Sequence, residues 1–261
     1  MEPTTGVLPP MGNTGVEQGG QGAVRPDWLH GTAPVETYGG RMSERWSAER
    51  VATVVGEFFP GERPTRGRGG RYFGAALRGH EFVVMWEGVG DARERIYIEV
   101  QGEGWSSLGS AVALELLRLL TVGHRFRATR FDLCRDVVGL AVADLIEAAA
   151  RRQVRTRAQT VVARQTLRGA RRGRSLEVGA RESDRFVRLY DYRGPTRIEV
   201  ELKRGLATSA VKAAIAERSF VGVWSREVRA AVGFPSVPAW ADALGGESGE
   251  GEASGGDDGW V

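Results

Sequence analysis

The chain has 261 residues, 36 basic against 33 acidic, for a formal net charge of +3, with 41% hydrophobic and 26% charged residues. That balance excludes a wholly disordered chain, and no uninterrupted apolar run approaches the roughly 18 residues needed to cross a bilayer. A single cysteine, Cys134, excludes a disulfide scaffold and a cysteine-based zinc site and points to a reducing cytoplasm.

Charge is segregated. Residues 1–40 hold one basic and four acidic side chains, and residues 241–261 hold six acidic and none basic. The remainder, 41–240, therefore carries 35 basic and 23 acidic residues, a net of +12. Thirty-four of the basic residues are arginine, which a GC-rich genome also produces. A basic body with acidic ends suits contact with nucleic acid.

In chain order, residues 1–24 are rich in Gly, Pro, Thr and Gln and too poor in large apolar side chains to offset the entropy of ordering. They read as a disordered tail. The single domain expected over 25–240 shows no internal repeat, and 241–261 reads as a second, acidic disordered tail. A strand is expected over 27–33. Ser43 caps a helix that reaches Phe59, with Trp46, Val51, Val54, Val55 and Phe58 at helical spacing and Pro60 behind it. A Gly/Arg loop over 63–71 leads to strands at 72–77, 81–86 and 95–100. A helix at 108–120, a strand at 128–137 and a helix at 142–152 follow. Three strands at 175–179, 185–192 and 196–203 come next, then helices at 206–218 and 220–231. Many strands interrupted by few helices predict an α+β fold, a mainly antiparallel central sheet flanked by helices.

Strand alternation sorts the late side chains by face. Arg130, Asp132, Cys134 and Asp136 share one face of their strand; Phe186, Arg188, Tyr190 and Tyr192 share one of theirs. Ile198, Val200 and Leu202 oppose Arg197, Glu199, Glu201 and Lys203. With the apolar faces packed on helices, the other side gathers carboxylates, tyrosines and arginines. Carboxylates from two strands suit Mg²⁺ or Mn²⁺, which prefer oxygen ligands and can polarise a phosphodiester. A tyrosine can attack phosphorus and stay attached, provided positive charge favours its phenolate; Arg188 and Arg197 could supply that charge. The same alternation also describes a solvated face on which Glu199 and Glu201 simply pair with Arg130, Arg188 or Lys203.

The segment 151–174 carries nine arginines and no acid: Arg151, Arg152, Arg155, Arg157, Arg164, Arg168, Arg171, Arg172 and Arg174. It reads as a phosphate track with salt-sensitive, largely sequence-independent affinity. The 63–71 loop is a weaker basic candidate. The three histidines, His30, His80 and His124, are far apart and form no His-apolar-His triplet, so they read as loop or surface residues.

Three runs occur in a characteristic order. Thr129–Asp136 has Thr-Arg-x-Asp with a second Asp four residues on. Gly179–Asp191 ends in Arg-x-Tyr-Asp, and Arg197–Lys203 reads Arg-x-Glu-x-Glu-x-Lys. Together with Asp27-Trp28-Leu29 they resemble the trans-acting rolling-circle replication initiators of plasmids, phages and integrative elements, over about residues 26–232. The resemblance implies an endonuclease that nicks one strand of origin DNA and forms a phosphotyrosyl intermediate, using a divalent metal. Tyr190 then matches the nucleophile, and Asp132, Glu199 and Glu201 match the Mg²⁺ or Mn²⁺ ligands. Arg188 and Arg197 match the phosphate-binding arginines. Tyr192 stands where the family has lysine, which supplies a second possible nucleophile. The implied partners are double-stranded origin DNA, the nicked single strand and a host helicase, with a homodimer as assembly and no membrane, in the cytoplasm. Two alternatives share these residues: a relaxase-like nickase of an integrative conjugative element, and a DNA-binding relative that has lost catalysis.

Overall fold

Alternation along the strands decides which side of the sheet is covered. The computed structural model describes residues 22–34, 48–59, 64–70, 72–166 and 173–245. Ser43, Trp46, Pro60, Arg168, Arg171, Arg172 and most of both expected tails lie outside the described residues. In chain order the elements are β1 (Arg25–Pro34), α1 (Ala48–Glu57), β2 (Thr65–Gly67), β3 (Phe73–Arg78), β4 (Phe82–Gly88), β5 (Arg95–Val100) and α2 (Gly102–Arg118). Then come β6 (Arg127–Val137), α3 (Val142–Ala150), β7 (Arg155–Thr156), β8 (Val161–Thr166), β9 (Gly173–Val178), β10 (Arg185–Asp191) and β11 (Thr196–Lys203). The chain closes with α4 (Arg204–Glu217), α5 (Val221–Ala231), β12 (Val232–Gly233) and α6 (Pro238–Ala243).

Ten strands form one sheet in the order β2-β3-β4-β5-β1-β6-β11-β10-β9-β8, and every neighbouring pair is antiparallel. This is the expected α+β architecture. The sequence pattern shows no repeat, yet the topology has one. The strand order is symmetric about the β1–β6 pair, exchanging β2 with β8, β3 with β9, β4 with β10 and β5 with β11. β1 and β6 begin at Arg25 and Arg127, and α2 and α4 begin at Gly102 and Arg204, an offset of 102 residues in both cases. The register agrees: Leu29 faces Val100 and His30 faces Glu99, as Phe131 faces Leu202 and Asp132 faces Glu201. Only the period of the backbone survives; the side chains of the two halves differ too much to show it.

One apolar face collects Leu29, Ile98, Phe131, Leu133, Val187, Leu189, Ile198, Val200 and Leu202, all buried in a core shared with Val51, Val55, Trp105, Leu145, Val211 and Trp224 of the helices. Trp224 donates its indole N–H to the Ile198 carbonyl at 3.4 Å, which fixes α5 beneath β11. Val24, Trp240, Ala243 and Leu244 are buried as well, so both ends of the described chain pack onto the body. The helix expected at 108–120 starts six residues earlier. Gly104 permits it: a Cβ there would lie 2.9 Å from the Glu81 Cβ and 3.0 Å from a Phe59 ring carbon. Trp105 can then enter the core. The helical run 102–123 is long and apolar enough, by length and composition, to cross a membrane. Here Trp105, Leu108, Leu116, Leu117 and Leu120 instead bury its inner side in the shared core.

Candidate active site

With the apolar face under helices, the opposite face of the second half carries the polar side chains. β6, β11, β10 and β9 place them in rows by register. Tyr190 faces Arg197, which faces Asp136; Arg188 faces Glu199, which faces Cys134; Glu201 faces Asp132, which faces Trp28. Charged groups seldom lie so deep without partners. Asp132, Glu177, Arg197, Glu199 and Glu201 are all buried here, and each is paired.

Arg130 meets Asp132 through both Nε (3.0 Å) and Nη2 (2.5 Å) and reaches Glu201 at 3.0 Å. Lys203 holds the other Glu201 oxygen at 2.7 Å. Arg188 grips both oxygens of Glu199, at 2.9 and 3.0 Å. Arg197 donates to Asp136 at 2.6 and 2.9 Å and lies 3.5 Å from Asp27, while Arg25 closes the second side of Asp136 at 3.0 Å. At the β8–β9 edge Arg164 and Arg181 both bind Glu177. The pairings of Glu199 and Glu201 with Arg188, Arg130 and Lys203 are those a plain solvated face would show, but the depth is not. Charge compensation at 1–5% exposure marks a constructed ionic layer.

The layer's proton affinities are uneven. Burial pushes Asp132 from 3.8 up to about 7; Arg130 opposes this and Glu199 and Glu201 reinforce it. Asp136 moves the other way, below the ordinary aspartate value, because Arg197 and Arg25 together outweigh its burial. In the row of Asp132, Glu199 and Glu201 three carboxylates thus face three cations, Arg130, Arg188 and Lys203, and Asp132 is the one whose burial favours its protonated form.

Tyr190 is half-buried on β10. Its hydroxyl donates to Glu199 Oε2 at 3.1 Å, and the Arg188 guanidinium lies 4.9 Å from its ring centre. Burial, with the Glu199 carboxylate, pushes its pKa well above the ordinary phenol value despite Arg197 and Arg188. The arginines do not make a phenolate here; the hydroxyl keeps its proton and aims it at a carboxylate. Tyr192, just past β10, lies under Arg197 at 3.5 Å and edge-on to Tyr190 at 6.1 Å. Two buried donors on this face have no acceptor: Arg188 Nε and Trp28 Nε1.

The arginine segment is divided by the fold. Arg151 and Arg152 follow α3 and Arg155 lies in β7, which pairs with β12, while Arg157 lies in the stretch between β7 and β8; all four are exposed. Arg164 is on edge strand β8, in register with Ser175 and through it with Tyr190. Arg174 lies 3.9 Å from Asp191. Among the described arginines of this segment, Arg164 and Arg174 thus flank the tyrosine strand. Asp27, Trp28 and Arg130 complete the site but were not singled out as site residues by spacing. Asp27 sits at an irregularity in the β1–β6 register, which alternation along a strand does not anticipate.

Asp132, Glu199 and Glu201 offer oxygen atoms of the kind a hard divalent cation takes, but each is closed by a basic side chain and the three do not bring their ligand atoms within 4.8 Å of one another. Among the described residues the ligand atoms that lie within 4.8 Å of one another belong elsewhere, to His80, Glu81 and Glu103 beside the β3–β4 turn. His30, read as a loop or surface residue, is half-buried on β1.

Neither a family model nor a curated protein sequence matches the chain. Among solved structures, a rolling-circle replication initiator protein from Geobacillus stearothermophilus aligns with a TM-score of 0.61. The alignment covers 81% of this chain and 86% of that one, at 18% identity. The chain has the fold of that initiator. The likeness thus spans most of both chains at the level of fold.

Proposed function

We propose that the protein starts rolling-circle replication by binding an origin and nicking one strand through Tyr190. The observation that carries this reading is the Tyr190–Glu199–Arg188 group on the open sheet face. A neutral tyrosine hydroxyl is hydrogen-bonded to a buried carboxylate, beside an arginine with a spare donor. In the nicking step Tyr190 Oη forms a bond to phosphorus as the bond from phosphorus to the 3′ oxygen breaks. The Tyr190 proton passes to Glu199, and the departing 3′ oxygen leaves as a hydroxyl after taking a proton from solvent water. The 5′ phosphate remains on Tyr190. In rejoining, a free 3′ hydroxyl gives its proton to solvent water and attacks that phosphotyrosine, the bond from phosphorus to Tyr190 Oη breaks, and the proton returns from Glu199 to Tyr190. Arg188 Nε and Arg197 orient the non-bridging oxygens. Asp132, Glu199 and Glu201 would hold Mg²⁺ or Mn²⁺, which when bound neutralises charge developing on the phosphoryl oxygens.

Origin duplex is met first by Arg164 and Arg174, with Arg151, Arg152, Arg155 and Arg157 on a separate surface. The test is incubation with supercoiled cognate origin and Mg²⁺ or Mn²⁺, followed by peptide mapping of the covalent DNA adduct. An adduct on Tyr190, lost in Tyr190→Phe, is the expected result; undiminished nicking by the Tyr190→Phe, Tyr192→Phe double variant refutes the tyrosine mechanism. The ion pairs that close every candidate ligand favour one second reading, a DNA-binding relative without catalysis. Tight origin binding with no adduct under either metal is its signature.

A further inference from the structure

The open face of the first half is aromatic where that of the second is ionic. The 102-residue offset places Trp28 at the position of Arg130, His30 at that of Asp132, Tyr97 at that of Glu199 and Glu99 at that of Glu201. Trp28, His30 and Tyr97 are each partly exposed. They are not isolated. The His30 and Tyr97 rings are 5.9 Å apart, Tyr97 and Phe73 are 6.2 Å apart, and Arg130 covers Trp28 at 5.4 Å. Tyr97 and His30 are also held by polar contacts. Tyr97 donates to Glu99 at 2.7 Å, and His30 Nδ1 meets Thr129 Oγ1 at 2.8 Å. Thr129 gives its hydroxyl proton to the His30 carbonyl, so His30 Nδ1 is the donor in its contact with Thr129. The row Trp28–Asp132–Glu201 makes this patch continuous with the candidate active site.

Rings fixed on neighbouring strands of an open sheet, next to arginine, match what unpaired bases require. Every base has a π face, so stacking needs no particular sequence. Paired bases cannot reach such a surface. We propose that Trp28, His30 and Tyr97 form a platform on which two or three bases of single-stranded DNA stack. The strand then crosses β5, β1 and β6 toward Tyr190. The direction of the strand rests on the nicking reading above; the stacking itself does not.

The full-length protein is titrated, with EDTA present, into a fluorescent oligothymidylate of about 15 nucleotides, a length within the usual site sizes. Trp28→Leu and Tyr97→Leu are each expected to weaken binding about tenfold. Trp28→Phe and Tyr97→Phe, which keep a ring, stay within about threefold, and affinity for duplex of equal length is unchanged in all four. Ultraviolet cross-linking of the same oligonucleotide to wild-type protein is expected to mark the peptides containing Trp28 and Tyr97, which keeps the test valid if a leucine variant unfolds. Folded leucine variants that bind like wild type, or cross-links confined to other peptides, overturn the platform. A Tyr190 adduct that forms while ring removal has no effect overturns the platform alone. Platform cross-links without any Tyr190 adduct overturn nicking alone.

Discussion

Asp132→Asn separates the electrostatics of the ionic layer from its packing, since the side chain keeps its shape and loses its charge. In the folded protein Asp132 has its pKa raised from 3.8 to about 7 and is 1% exposed. Between these values the folded state holds a proton that the unfolded chain has released, so stability falls as pH rises. The contribution is fully present below about pH 4, declines as pH approaches 7 and is gone above it. A shift of about three units corresponds to about 4 kcal/mol, an upper figure for one buried group, and to a Tm change of about 10 °C in a domain of this size. His30, its proton affinity lowered by burial, titrates over the same range, so the measurement is the difference between variant and parent. Thermal unfolding without divalent metal, from about pH 5 to about pH 8, is expected to show the Asp132→Asn variant gaining on the parent as pH rises. Adding Mg²⁺ is expected to raise the parent's Tm more at the alkaline end, where no proton competes for the carboxylate, and to lose that pH dependence in the variant. Parallel Tm–pH curves for the two proteins, with and without metal, refute the burial-raised proton affinity of Asp132.

Arg197→Met leaves Asp136 with Arg25 alone and Asp27 without its guanidinium partner, and is expected to cost about 3–5 kcal/mol, read as a lowered urea midpoint. Gly31→Ala places a Cβ 2.5 Å from the Phe126 ring and closer still to the Arg127 carbonyl, so it is expected to destabilise by several times the roughly 1 kcal/mol of an ordinary substitution; an unchanged Tm would show that the β1–β6 contact can spread. Arg164→Ala is expected to weaken duplex binding and reduce the salt slope of log affinity by about one, since one phosphate contact is removed. The same change at Arg151, which pairs with Glu147 on α3, leaves binding to short origin fragments near the parent value if that surface serves only flanking DNA.

The fold class, the strand faces and most element positions were legible because alternation and helical spacing act within ten or twenty residues. Phe131 and Leu133 had to oppose Asp132 and Cys134 in any strand, and they do. What local pattern could not carry was pairing. The meeting of β1 with β6 joins residues about a hundred positions apart, and it puts Trp28 beside Asp132 and Asp27 within reach of Arg197. Glycines misled in one place: Gly102 and Gly104 fall outside the helix expected at 108–120, whereas Gly104 is what lets α2 start close against Glu81. The state of Tyr190 was illegible for a related reason. Arginines two and seven residues away suggested a phenolate, but burial and the facing Glu199 outweigh them, and burial is a property of the assembled sheet.

The same limit explains why the topological repeat escaped notice, and it bears on how such a site could arise. At equivalent positions one half carries Trp28, His30 and Tyr97 and the other Arg130, Asp132 and Glu199, so few identities, such as Glu99 with Glu201, are left to align. Apolar positions on the helical side are constrained by a common core in both halves; positions on the open side are not. A buried ionic layer is a costly use of that freedom, because six or more charges must be mutually compensated at low exposure before it breaks even. The first half shows that the backbone does not require it. The expense is confined to the strands that hold Tyr190 and its neighbours, the side chains to which the nicking proposal assigns its chemistry.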